Sequence, residues 1–347
     1  MVWDHINEDN NISQGFRVVQ EGLPLFSISE PVLVLDNGSG TIKGGFSDGH
    51  PVTCFPNVIG RNQHQKIMGG EDESIIQIGH TAQKMRGVLS LSRPIQHGLI
   101  NSWGDMETIW SSMIEGHCCS QPNEYSLIMT EAVDTPLEQT DKIAEIMFER
   151  FQANNLLIEN TGRLSLNRYG HDSGLVVDLG ESCVQIIPII NNKKLSHASF
   201  RLGFGGKDLT DYLAKILRKK GYNFNSGSQK EIVREMKETF AATSHHPRTQ
   251  SLPDNFKRNF ELPDGNIVTL KEERVDLVEP LFDPTLIGLE SLGIHHMIQD
   301  ALARTPSQFQ KTLASNITIV GGTSLIPGLK HRLERELSEL ITQKCNV

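Results

Sequence analysis

The sequence predicts an α/β protein of two duplicated domains, and three observations support this fold class. A strand, glycine turn and strand unit occurs at 32–46 and again at 175–189. Amphipathic helical patterns, such as those at 105–113 and 208–217, follow these units. The chain of 347 residues also exceeds the length that one hydrophobic core usually serves. We therefore expect two domains, each a mixed sheet flanked by helices.

The first unit is an apolar run, Val32–Leu35, that ends in Asp36 and a glycine-rich turn. The run predicts a buried strand that delivers a carboxylate to the turn. The turn has the composition of a phosphate site, because glycines let backbone N–H groups approach an oxyanion. A carboxylate beside phosphates suits a hard cation such as Mg²⁺, so Asp36 is a candidate metal-binding residue. For this stretch alone, an ordinary hairpin is an equal alternative. The candidate phosphate-binding residues are Gly38, Ser39, Gly40 and Lys43.

The second unit repeats this order, with Asp178 after the apolar run, and a third glycine turn follows the β-branched run at 317–320. Three turns of phosphate-binding type, two of them after a strand that ends in Asp, predict one nucleotide held between two domains. The side chain of Ser182 either crowds a phosphate, if the backbone must come close or adopt positive φ there, or donates its hydroxyl, and both alternatives stay open. The candidates are Asp178 for the metal and Gly180, Glu181, Ser182, Gly321, Gly322 and Thr323 for the phosphates.

Segments along most of the chain resemble those of one family. They are DNGSGTIKGGF at 36–46, FPNVIGR at 55–61, RGVLSLSRPIQHG at 86–98, MTEA at 129–132, IMFERF at 146–151, DLTDYLAKIL at 208–217, EIVREMKE at 231–238, ELPDG at 261–265, GLESLGIH at 288–295 and GGTSLIPG at 321–328. In order and spacing they resemble the actin and actin-related family, with a slight lean towards centractin at 217–224 and 286–295. The resemblance implies the actin-like ATPase (ribonuclease H-like) fold, two duplicated domains around a nucleotide cleft.

The resemblance also implies the domain bounds. Residues 1–30 are an N-terminal extension, 31–168 the first domain with the small subdomain 57–93, and 169–347 the second domain with the small subdomain 205–289. A hinge is expected near 159–169, and the polar loop at 62–73 would pack on the next subunit in filament-forming relatives. The family continues for some tens of residues past the position of Val347, so we expect either a natural short form or an incomplete gene product. We also expect that this chain does not form long homopolymers by itself.

The ligands implied by the resemblance are ATP or ADP with Mg²⁺. Lys43 would contact the phosphates, and Asp36 and Asp178 would hold the water shell of the metal. A helix predicted from Lys230 to Thr239 matches the family positions that hold adenosine, although a solvated charged face is the alternative. His97 matches a methylatable histidine near the phosphates, with a hydrogen-bonded core histidine as the alternative. The adenosine candidates are Arg234, Lys237 and Glu238.

The sequence departs from the family where the attacking water is oriented. The family's glutamine at the hinge is Thr161 here, and its histidine in the second phosphate loop is Gln185. Thr161 is too short to replace a glutamine, and Gln185 cannot take a proton. We therefore assign no catalytic residue and expect at most slow ATP hydrolysis.

Composition and charge argue against one class of partner and indicate the cellular compartment. The net charge of −9 and the lack of a basic block argue against direct nucleic-acid binding. Neither a membrane-length apolar run nor a signal peptide is found, which predicts an intracellular protein. The resemblance implies the cytoplasm or the cytoskeleton, with the nucleus as a further site. The five cysteines show no ligand or disulfide spacing.

Two functions follow from the resemblance. The first is an ATP-binding subunit of the cytoskeleton or of a complex, with actin, actin-related proteins, actin-binding proteins or complex subunits as partners. The second is a structural scaffold in a chromatin-remodelling or dynein-adaptor complex. A sugar or acetate kinase is a distant third.

Overall fold

The computed structural model describes residues 32–47, 52–62, 76–116, 126–245 and 251–341. The expectations for the N-terminal extension, for residues 63–73 of the polar loop and for the last residues of the chain fall outside these ranges. The chain divides into two compact units, Met1–Asp172 with Asn191–Lys194 and Ser173–Ile190 with Leu195–Val347. The hinge predicted near 159–169 includes a helix, which occupies Thr161–Arg168.

Unit 1 is built around a five-stranded mixed sheet. The strands of unit 1 are β1 (Val32–Asn37), β2 (Thr41–Phe46), β3 (Thr53–Pro56), β4 (Ile59–Asn62), β5 (Gln77–Ile78), β6 (Leu89–Ser92), β7 (Ile95–Gln96), β8 (Leu99–Ile100), β9 (Ser126–Glu131) and β10 (Asn155–Asn160). Its helices are α1 (Gly79–Lys84), α2 (Trp103–Ile114), α3 (Leu137–Glu149) and α4 (Thr161–Arg168). The sheet has the order β10-β9-β1-β2-β3, and β4, β5 and β6 form a separate three-stranded sheet.

The core of unit 1 lies between the main sheet and its helices. Leu33 and Leu35 of β1 are fully buried, which fits a strand with an apolar run. The spacing of Met106, Ile109, Trp110 and Met113 predicts one buried helix face, and α2 buries all four, so that prediction is confirmed. The apolar pattern also predicts a helix from Thr140 to Phe151, and α3 begins three residues earlier, at Leu137.

The rest of the chain belongs mainly to unit 2. The strands after Arg168 are β11 (Gly174–Leu179), β12 (Val184–Ile190), β13 (Lys193–Lys194), β14 (Phe200–Leu202), β15 (Arg258–Glu261), β16 (Ile267–Leu270) and β17 (Ile317–Val320). Of these, β13 falls in the segment Asn191–Lys194 of unit 1. The helices are α5 (Gly206–Lys219), α6 (Gly227–Phe240), α7 (Glu273–Asp276), α8 (Ile294–Arg304), α9 (Ser307–Ala314) and α10 (Leu329–Leu340). Strand β11 lies between β12 and β17, and β14 pairs with the other edge of β12.

The helices around this second sheet follow the capping rules. The basic run at 218–220 followed by Gly221 predicts the end of a helix, and α5 does end in basic residues, with φ of +92° at Gly221. Helix α6 begins at Gly227, because Ser226 accepts the N–H of Gln229 and the Gln229 side chain accepts the N–H of Ser226. The spacing of Leu329, Leu333 and Leu337 predicts an amphipathic helix, which is observed as α10 and ends at Leu340.

The two units share one strand arrangement. In unit 1, β1 pairs antiparallel with β2 and parallel with β9. In unit 2, β11 pairs antiparallel with β12 and parallel with β17. The sequence repeat is therefore a structural repeat, and in each unit an aspartate near the end of the central strand lies opposite a polar residue on the antiparallel neighbour.

Candidate functional site

In unit 1, the aspartate near the end of the central strand is held by two neighbouring strands. Thr130 at the end of β9 donates its hydroxyl to Oδ1 of Asp36 at 2.8 Å. Lys43 lies directly opposite Asp36 on β2, and its Nζ donates to Oδ2 at 2.6 Å. The Lys43 side chain is 46% exposed and the Asp36 side chain 25% exposed, so both groups are accessible from solvent. A carboxylate and a mobile cation thus lie side by side at the mouth of the glycine turn.

The turn after Asp36 is tight and well supported. The N–H of Gly38 donates to the carbonyl of Asp36 at 3.0 Å, and Asn57 donates its side-chain amide to the carbonyl of Gly38 at 2.9 Å. A Cβ on Gly38 would lie 2.4 Å from the carbonyl oxygen of Thr41, so only glycine fits there. The turn can therefore present its backbone closely to a ligand.

In unit 2, the corresponding carboxylate has different neighbours. Gln185 lies opposite Asp178 on β12 and donates Nε2 to Oδ2 at 3.0 Å. On the β17 side, Gly321 has φ of +89°, and a Cβ there would lie 2.7 Å from Oδ1 of Asp178. Asp178 therefore has an amide on one side and a residue without a side chain on the other.

Three loops of unit 2 meet around the start of α5. The N–H of Gly206 and the hydroxyl of Thr323 both donate to the carbonyl of Gly180, at 2.9 and 3.2 Å. A Cβ on Gly206 would lie 2.7 Å from Oε2 of Glu181, 2.9 Å from Oγ1 of Thr323 and 3.2 Å from Nζ of Lys237. We call this set, Gly180, Glu181, Gly206, Lys237 and Thr323, the three-loop cluster. It brings together a carboxylate, a hydroxyl and an ammonium group.

The charged residues of α6 do not form a simple solvated face. Lys237 is 6% exposed, donates Nζ to the carbonyl of Gly206 at 2.6 Å and lies 3.8 Å from Glu181. Burial lowers the pKa of Lys237, and the carboxylate of Glu181 partly offsets this effect. Arg234 pairs with Glu231 and Glu238 at 2.7 and 3.3 Å. The alternative of a solvated face is therefore wrong for Lys237.

Ser182 and Cys183 complete the second turn. Ser182 is 7% exposed, and it is not among the non-glycine residues with positive φ in the described ranges. A positive φ at Ser182, one of the two routes by which its side chain would crowd a phosphate, is therefore excluded. Burial and the charge of Asp178 raise the pKa of the Cys183 thiol to about 12, so this thiol stays protonated at neutral pH.

Two further positions from the sequence are placed within unit 1. His97 is exposed in the turn between β7 and β8, with φ of +52°, so the alternative of a core histidine is wrong. Thr161 is the first residue of α4, and Asn160 caps this helix by accepting the N–H of Gly162 at 2.8 Å.

Three residues of these loops were not found from the sequence. Thr130 and Gly206 lie far along the chain from the turns that they support, so local patterns did not reveal them. Leu325, in the 3₁₀ turn Gly322–Leu325, is 82% exposed. Its signal was available, because a large apolar residue in a polar glycine turn is unusual.

The duplicated mixed sheets define the class of protein as one with the actin-like ATPase fold. The family model for actin matches residues 28–347, so the chain belongs to the actin family. Members of this family generally bind a nucleotide with Mg²⁺, and the family suggests partners among actin-related or complex subunits.

Two further properties of the described ranges concern membrane-spanning helices and metal ligands. No helix there has the length and apolar character needed to span a membrane. No three His, Cys, Asp or Glu side chains in the same ranges are grouped to hold a metal directly. Mg²⁺ keeps several of its waters in most protein sites, so single carboxylates such as Asp36 and Asp178 suit it through water.

Proposed function

We propose that this chain binds ATP or ADP with Mg²⁺ and acts as a subunit of the cytoskeleton or of a complex, with weak or no ATP hydrolysis. The observation that carries the proposal is the repeated placement of Asp36 and Asp178 near the ends of equivalent strands. Each is followed by a glycine turn, and oxygen ligands of this kind are those that Mg²⁺ prefers. When bound, the metal would neutralise phosphate charge.

The other candidate residues have separate roles in this proposal. Lys43 would move from Asp36 to a phosphate oxygen, and the turns at Gly38–Gly40, Gly180–Ser182 and Gly321–Thr323 would donate backbone N–H groups. Arg234, Lys237 and Glu238 would contact the nucleoside. The exposed side chain of Leu325 would cover the apolar face of the base.

Lys43→Ala tests nucleotide binding directly. Because the variant removes a cation from the phosphates, binding of Mg-ATP should weaken by a few kcal/mol. Isothermal calorimetry measures this loss, and Lys84→Ala serves as the control, because Lys84 is exposed on α1. If the wild-type protein gives no heat and no thermal shift with Mg-ATP, the proposal fails.

Weak hydrolysis rests on Thr161 and Gln185. Each replaced group would cost on the order of 10²-fold in rate if it positions water or takes its proton. The double variant Thr161→Gln with Gln185→His should therefore raise phosphate release above the wild-type rate under single-turnover conditions. A wild-type rate equal to that of conventional actin, measured side by side, would contradict this part of the proposal.

The scaffold alternative differs in one measurable respect. A scaffold without nucleotide turnover keeps its partners when nucleotide is removed, whereas a nucleotide-dependent subunit loses or exchanges them. Affinity purification of the native protein with and without Mg-ATP, followed by mass spectrometry, separates the two. We expect actin-related or complex subunits whose amounts change with nucleotide, and a cytoplasmic or cytoskeletal location by fractionation.

A further inference from the structure

The side chain of Gln185 contacts the carboxylate of Asp178 in unit 2. Gln185 is 4% exposed and lies directly opposite Asp178 across the β11–β12 pair. Its Nε2 donates to Oδ2 of Asp178 at 3.0 Å. A buried amide that donates to an ionised carboxylate makes a charge-assisted hydrogen bond, which is stronger than a neutral one. The bond fixes one oxygen of Asp178.

Gly321 leaves room for the other oxygen of the same carboxylate. A Cβ on Gly321 would lie 2.7 Å from Oδ1 of Asp178 and 2.4 Å from the carbonyl oxygen of Leu179. Oδ1 therefore occupies space that exists only because residue 321 is a glycine with positive φ. Gln185 thus holds one oxygen of the carboxylate, and the glycine at position 321 leaves space for the other.

In unit 1, Asp36 has a related arrangement of hydrogen bonds from other side chains. There, both oxygens of Asp36 accept hydrogen bonds, Oδ1 from Thr130 and Oδ2 from Lys43. In both units the antiparallel neighbour supplies the donor to Oδ2. Gln185 thus has the position in unit 2 that Lys43 has in unit 1. Its amide donates to the aspartate but adds no charge.

Orientation of a carboxylate matters for the affinity of a hydrated cation. Residues that hydrogen-bond a metal-binding carboxylate fix its direction, and their loss commonly costs 10-fold to 100-fold in metal affinity. We propose that Gln185 is a positioning residue that orients Asp178 towards a hydrated divalent cation. This inference rests on the proposed function, because it concerns the Mg²⁺ that accompanies the nucleotide.

Gln185→Met tests the inference, because methionine nearly conserves the volume and has no N–H donor. The measurement is the dissociation rate of a fluorescent ATP analogue at buffered free Mg²⁺ concentrations and in EDTA. We expect the half-saturating Mg²⁺ concentration to rise about 10-fold in the variant. The dissociation rate in EDTA should stay within about 2-fold of the wild-type rate, since Gln185 acts through the metal-side carboxylate.

Ile187→Val is the matched control. Ile187 is fully buried on the same strand, two positions further and on the same face of the sheet. It tests whether a packing change in β12 alone alters Mg²⁺ dependence, and we expect no shift.

Three other outcomes would contradict the inference about Gln185 or the proposed function. An unchanged Mg²⁺ midpoint in Gln185→Met overturns the inference and leaves the proposed function intact. Equal losses in Mg²⁺ and in EDTA, with a lowered melting temperature, indicate a merely structural role and also overturn it. A wild-type protein that retains no analogue in either condition refutes the proposed function, and the inference with it.

Discussion

Gly206 is the position where a single added methyl group should separate nucleotide binding from stability. It is the first residue of α5, and a Cβ there would lie 2.7 Å from Glu181, 2.9 Å from Thr323 and 3.2 Å from Lys237. These distances join the Cβ to Oε2, Oγ1 and Nζ, respectively. Gly206→Ala therefore forces all three polar groups of the three-loop cluster to move.

Two opposing terms set the stability change of Gly206→Ala. Alanine is favoured over glycine in a helix interior by up to about 1 kcal/mol, and by less at the first position. Overpacking costs about 1–3 kcal/mol, and the lower part of this range applies because Glu181 and Lys237 meet the new methyl group with the ends of flexible side chains. The net loss should therefore be about 2 kcal/mol or less.

The effect on binding should be larger than the effect on folding. The same movement displaces Glu181, Lys237 and Thr323, and small misplacements of binding groups cost on the order of 10²-fold in function. We expect Mg-ATP affinity, measured by calorimetry, to fall by at least about 10-fold, while urea unfolding shows only the modest loss.

Gly227→Ala is the matched control for this prediction. Gly227 is also the first residue of a helix, α6, but a Cβ there would meet nothing within 4 Å. This variant should keep both stability and affinity. If Gly206→Ala binds Mg-ATP as tightly as Gly227→Ala does, the three-loop cluster is not part of a nucleotide site.

Other regions give further expected outcomes. Arg332 is 1% exposed and pairs with two glutamates, so Arg332→Met should lower the free energy of unfolding in urea by about 3–5 kcal/mol. Adding Glu279→Gln should recover part of this loss, and a loss below about 1 kcal/mol in the single variant would contradict the reasoning. Burial lowers the pKa of His295 to about 4 from the ordinary 6.5, so the free energy of unfolding should fall as pH drops from 6.5 towards 4. The slope should stay below about 1.4 kcal/mol per pH unit because the ring is partly exposed, and His295→Gln should flatten it in urea titrations at several pH values. A thiol reagent followed by peptide mass spectrometry should modify exposed Cys54 in the native protein and Cys183 only after unfolding, and rapid native labelling of Cys183 would refute its burial.

Local sequence patterns predicted much of the fold. Helix α2 and helix α5 carry clear apolar stripes, and their buried faces are those that the spacing indicated. The starts of two other helices were predicted three residues late. Leu137 at the start of α3 is 73% exposed and follows a proline, so it adds no core signal. At the start of α6, Gly227 and Ser228 are weak helix formers that hide the capping pair of Ser226 and Gln229.

The candidate site was predictable where it is local and not where it is assembled over distance. Lys43 is seven positions from Asp36, and the pairing follows from the hairpin itself. Thr130 reaches the same carboxylate across 94 positions, which no local pattern indicates. Lys237 has charged neighbours in sequence, which makes a solvated face an alternative to adenosine contact, yet it is buried against the start of α5, 31 positions away. Tertiary packing decides such burial, so a sequence alone cannot supply it.

The parallel pairing of β11 with β17 has a consequence for how the protein folds during synthesis. The Thr323 hydroxyl donates to Gly180 across 143 positions, and Asn316 reaches Ser173 across the same separation. The entropy lost on closing a loop rises only slowly with its length, so this separation costs little equilibrium stability. Its kinetic effect is larger, because contacts between distant positions form slowly and only after the later strand has left the ribosome. Until then β11 keeps one open edge. A nascent chain released before residue 317 should therefore be a substrate for chaperones that recognise exposed strand edges, and the glycine turns of unit 2 should be among the last parts of the protein to mature.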